Sequence, residues 1–123
     1  MGAGLIQFFM VLRNATKLYH WNTQSYARHK ATDQFIDKLD DLSDKFIEVY
    51  IGRYGRPESL GKDTTLKLPA LNEKYIVEYF EEARDWLTDK LPTHISPKDT
   101  ELINIRDEMI GEINQTLYLF TLE

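Results

Sequence analysis

Residues 52–71, GRYGRPESLGKDTTLKLPAL, carry glycine, proline, lysine and threonine where the flanking chain carries apolar residues at helical spacing. A structureless connection of about twenty residues is unusual inside a compact domain. It makes sense if the chain must travel the length of a bundle, because about 25 helical residues span nearly 40 Å. Working outward, a helix is expected before it from about Tyr26 to Ile51, with Gly52 as its left-handed stop. After it, Asn72 is a good N-cap for a third helix that repeats Tyr75, Tyr79, Ala83 and Trp86 or Leu87 until Pro92. The first helix runs from about Leu5 to His20, with Leu5, Phe8, Leu12, Ala15 and Tyr19 on one side. The fourth opens with Ser96 as N-cap and Pro97 at the first helical position, then repeats Leu102, Ile105, Met109, Ile113, Leu117 and Phe120.

Helices one and two are joined by roughly six residues around Thr23, and helices three and four by roughly five around Thr93, which makes each pair antiparallel neighbours. Short, long, short is the connection pattern of a ferritin-like four-helix bundle with a long crossover between helices two and three. The expected fold is therefore all-α, with residues 1–123 forming a single four-helix-bundle domain.

Composition removes several function classes. Fifteen Lys plus Arg against twenty Asp plus Glu leave a net charge of −5, so there is no basic excess to bind nucleic acid. The absence of cysteine excludes disulfides, thiolate zinc sites and cysteine nucleophiles. The apolar stretch Leu5–Leu12 is too short to span a bilayer and lacks the flanks of a signal peptide. Met1-Gly2 opens like a myristoylation signal, but Ile6 stands where Ser or Thr is wanted. A cytoplasmic protein with no membrane partner is expected. Phosphate loops and Gly-x-Ser-x-Gly elbows are absent, and the basic loop Arg53 to Arg56 reads as a solvated helix end.

The chemistry lies on the second helix. With Asp33 at zero and about 100° per residue, His29, Asp37, Asp40, Asp41, Asp44 and Glu48 all fall between about −40° and 80°. Phe35, Leu39, Leu42, Phe46 and Val49 lie opposite. Carboxylates four residues apart repel by a few tenths of a kcal/mol per pair, so this stripe calls for a cation. His20 and His29 flank the first turn, and an imidazole–carboxylate set suits Fe(II), Mn or Zn. Asp33 and Asp44 are about 16 Å apart along the helix, so one chain cannot place both on one ion. Two second helices packed antiparallel about a twofold near Lys38 to Asp41 would set His29 and Asp33 of one chain against Asp44 and Glu48 of the other. An intrachain site using Asp107, Glu108 and Glu112 of the fourth helix is a further option, although no Glu-x-x-His pair exists. His94 reads as a surface residue in a turn.

His20-Trp21-Asn22 followed by His29-x3-Asp33-x10-Asp44-x3-Glu48 resembles the signature of the Dps miniferritins over about residues 13 to 50. That resemblance implies a ferroxidase that oxidises Fe(II), preferably with peroxide, and stores the ferric product in a shell of subunits. It further implies His20, His29, Asp33, Asp44 and Glu48 as iron ligands shared across a twofold homodimer, with Trp21 near the site. The block from Arg13 to Pro57, including Ser25 to Lys30, also looks like an uncharacterised ferritin-like family of phages and large DNA viruses. The alternative expectation is a non-enzymatic oligomeric bundle that has lost productive metal chemistry.

Overall fold

The computed structural model describes residues 3–122, with side chains from Gly4 onward; Met1 and Gly2, which open like a lipidation signal, and Glu123 lie outside the described residues. Four helices form, and among the described residues there is no strand: α1 (Ala3–Asn22), α2 (Tyr26–Tyr54), α3 (Tyr75–Asp85) and α4 (Thr100–Leu119). None is long and apolar enough to cross a membrane. α2 packs on both α1 and α4, while α3 closes the ring against α4 and, more lightly, α1. The shared core draws Leu5, Leu12 and Tyr19 from α1, Phe35, Leu39 and Phe46 from α2, Ile76 and Phe80 from α3, and Leu102, Met109 and Ile113 from α4. Burial of these apolar faces, rather than helix propensity, holds the bundle together.

The stretch 55–74 leaves α2 at its C-terminal end and carries one short 3₁₀ turn, Glu58–Gly61. It arrives where α2 begins, because the Glu73 carbonyl accepts from Arg28 and the Glu73 carboxylate accepts from the Tyr19 hydroxyl at 3.2 Å. Asn72 caps as its sequence position predicts, its side-chain oxygen accepting from the amides of Lys74 and Tyr75 at 3.1 and 2.7 Å.

Several local expectations are corrected. α2 does not stop at Gly52 but runs to Tyr54, and Gly55 (φ 89°, ψ 169°) is the terminator, in a region that essentially only glycine enters. An interior glycine costs about 1 kcal/mol, and the tilted ring pair Tyr50–Tyr54, centroids 4.9 Å apart, packs across it. The buried face of α3 is Ile76, Phe80 and Ala83, continued by Leu87 of the π-helical turn Trp86–Lys90; Ala83 and Leu87 are as expected, while Ile76 and Phe80 stand in for Tyr75 and Tyr79, one residue round. The Tyr75 and Tyr79 hydroxyls need water or a partner, so those rings take the flank. α4 begins at Thr100 rather than after Ser96. The buried Asp99 carboxylate folds back onto the Ser96 amide (2.9 Å), accepts from the Tyr54 hydroxyl and pairs with Arg53 at 3.3 Å. Those donors hold Asp99 below the usual carboxylate range, the Tyr54 hydrogen bond most of all. His94 is half-buried against Gly4 and tilted over Trp86, not a free surface residue.

Candidate metal centre

Only three residues, 23–25, separate α1 from α2. The turn is closed by its own side chains: Thr23 Oγ1 accepts from the Ser25 amide (3.1 Å), and Ser25 Oγ caps α2 by accepting from the Arg28 amide (3.2 Å). So tight a connection brings the last turn of α1 against the first turn of α2.

His20 and His29 meet there. Their rings stack with centroids 3.9 Å apart and planes 16° from parallel. His20 Nδ1 lies 2.8 Å from the His29 carbonyl, and His29 Nδ1 lies 3.0 Å from the His20 carbonyl. A carbonyl can only accept, so each Nδ1 carries the proton and donates. With Nδ1 carrying the proton, the neutral form of either ring leaves its Nε2 lone pair bare. Thr32 Oγ1 lies 3.0 Å from His20 Nδ1 and can accept there, because its own hydrogen is directed to the Arg28 carbonyl at 2.8 Å. Nδ1–H donated to backbone with Nε2 free is the arrangement that orients histidine as a metal ligand. Thr32, which the sequence reading missed, thus positions His20; its signal is a polar β-branched residue on the buried side of α2.

His20 is only 5% exposed. Burial, and then repulsion by a charged His29, push its imidazole below its ordinary value of 6.5. The folded state therefore favours neutral His20, which stabilises the protein above pH 6.5; that contribution is lost as the pH falls through the lowered folded value. Burial acts on His94 in the same direction. The denaturation midpoint is expected to fall as the pH drops below about 6.5, and His20→Asn should flatten that fall. An unchanged slope in the variant would exclude His20 as its source.

The carboxylates occupy the exposed face of α2 as predicted: Asp33, Asp37, Asp40, Asp41, Asp44 and Glu48 all face outward. Asp40 pairs with Arg13 of α1 at 3.2 Å, a partner that sequence reading did not identify. Among the described residues no other carboxylate of the stripe has a Lys or Arg ion pair. Glu48 is pushed above its ordinary range by Asp44, which shares a hydrogen bond with it and repels it as a like charge. The pair is a local concentration of negative charge with no Lys or Arg ion pair among the described residues.

The structure thus brings four of the five predicted ligands together, as two groups rather than one. His20 and His29 are together, Asp44 and Glu48 are together, and Asp33 stands a turn beyond His29. Among the described residues no three His, Asp or Glu side chains converge within the chain in a way that could hold a metal. The optional intrachain site on the fourth helix is therefore not formed. The two groups are about 22 Å apart along α2, counted from His29 to Asp44.

The chain belongs to a Family of unknown function (DUF5856), whose model matches residues 20–120. It is similar to an uncharacterized 14.6 kDa protein in the mobD-ri intergenic region of Enterobacteria phage T4, with 34% identity over 104 residues covering 85% of this chain and 75% of the phage protein. No solved structure matches it.

Proposed function

We propose that this DUF5856 member is a ferritin-like bundle that binds and oxidises Fe(II) at a site shared between two antiparallel α2 helices, as in the Dps miniferritins it resembles. The observation that carries the reading is the reciprocal lock of His20 and His29, which spends both Nδ1 protons on backbone carbonyls and leaves two Nε2 atoms for a ligand. The neighbour order α1, α2, α4, α3 supports the ferritin-like label, and the path from Gly55 to Glu73 supports the long crossover. The twofold is supported by the stripe itself. Leaving Asp41 aside, its residues His29, Asp33, Asp37, Asp40, Asp44 and Glu48 are spaced four, four, three, four and four, the same from either end. A twofold between Lys38 and Leu39 therefore sets His29 opposite Glu48, Asp33 opposite Asp44 and Asp37 opposite Asp40.

In that dimer His20, His29 and Asp33 of one protomer, with Asp44 and Glu48 of its partner, would hold ferrous iron as substrate; Mn or Zn also suits the donor set. The imidazoles bind in their neutral form without a proton to displace. The carboxylates favour the higher charge of Fe(III) over Fe(II), which promotes oxidation. The electron balance needs an acceptor. Peroxide takes one electron from each of two ferrous ions together with two protons and leaves as water. The test is anaerobic Fe(II) titration of the protein followed by peroxide, watched by ultraviolet absorbance. Saturable binding and a ferric band formed faster than in free solution are expected. Binding without accelerated oxidation would leave a non-enzymatic module, and absence of binding would remove the metal reading.

A further inference from the structure

Beside the acidic stripe, α1 and α2 open a groove of about 440 Å³ lined by Ile6, Met10, Ile47 and Leu60, with Asp41 and Asp44 on its rim. Met10 and Leu60 are about half exposed. At the opposite end of the same face stands Trp21, 67% exposed, with the Lys17 ammonium 5.3 Å above its ring. Met10, Lys17 and Trp21 lie within about 40° of one another around α1. One face thus carries an apolar socket with an anionic rim at one end and an aromatic plug with a cation at the other.

The twofold of the proposed metal site relates these two ends, and any contact between them rests on that reading. α1 and α2 are antiparallel, and the Arg13–Asp40 and Phe9–Phe46 contacts fix their relative height. A dyad between Lys38 and Leu39 therefore crosses α1 near Ala15. Lys17 of one protomer falls level with about residue 13 of its partner, and Trp21 falls level with about residue 9, beside Met10.

We propose that the α1–α2 groove is the socket for Trp21 of a second copy of this chain, with Lys17 set against the partner's acidic rim. Two such contacts form per dimer, one on each side of the acidic centre. Burying an indole supplies apolar area that a carboxylate stripe cannot, while Lys17 offsets part of its charge.

Cross-linking tests this directly, because the chain has no cysteine. Residues 10 and 17 of one helix are about 10 Å apart, beyond disulfide reach, so Met10→Cys with Lys17→Cys can bridge only between chains. Under mild oxidation, with Mn(II) present, the double variant should form a covalent dimer. Each single variant alone should not, and a mixture of the two singles should. Adding Trp21→Ala to the double variant should slow bridging at least about tenfold, the scale of a lost interface anchor. No covalent dimer in a sample that light scattering shows to be dimeric would overturn the socket and leave the metal reading standing. A covalent dimer that fails to bind Mn(II) would keep the socket and remove the metal reading. A monomer under all conditions would overturn both.

Discussion

Changing Asp44 and Glu48 together to alanine is expected to weaken Fe(II) binding by roughly a hundredfold or more while leaving the helical fold unchanged. Loss of partners one shell removed from a metal already costs about 10–100-fold, and these two residues are placed as direct ligands. The fold has no stake in them. Both are exposed, and neither has a Lys or Arg ion pair among the described residues. Removing them relieves an i,i+4 repulsion of a few tenths of a kcal/mol, so the metal-free variant should be at least as stable as the parent. Circular dichroism and isothermal titration with Fe(II) under nitrogen check both halves. Full-affinity binding in the variant would show that the carboxylate pair is not part of the site.

Phe80→Ala is expected to be the most damaging single core change, at about 3–5 kcal/mol. Phe80 has no exposed surface and reaches across the bundle, its ring 4.7 Å from Phe35 of α2 and 5.5 Å from Phe120 just beyond α4. Truncation therefore removes contacts to two elements at once, and the helices cannot close the cavity without shifting several rings. Against a typical total of about 5–15 kcal/mol, the loss should show as a large fall in urea midpoint. A loss below about 1 kcal/mol would mean that this layer is packed differently.

The helices were legible because four amphipathic repeats, an asparagine cap and unequal connections all agreed. Their ends were less so. Gly52 and Gly55 are equivalent as letters, and only the Tyr50–Tyr54 packing and the positive φ at Gly55 separate them. Ser96-Pro97 has the look of a helix start, yet Asp99 is drawn inward by Tyr54 and Arg53, residues more than forty positions away. The outward stripe on α2 came directly from 3.6-residue periodicity. The stacking of His20 on His29 did not, because it depends on how the side chains of a three-residue turn satisfy its amides. Arg13 and Thr32 were invisible for the same reason: their roles exist only once α1 lies against α2.

The sharing of one site between two chains is tested most directly by complementation. His29→Ala/Asp33→Ala protein lacks one half of each site, and Asp44→Ala/Glu48→Ala protein lacks the other. Neither should bind Fe(II) alone. Mixed in equal amounts and allowed to exchange, they should regain about a quarter of the parental sites, since each site then draws one intact half from each kind of chain at random. Strong binding by either variant alone, or no recovery in a mixture shown to form heterodimers, would contradict a site divided across the twofold.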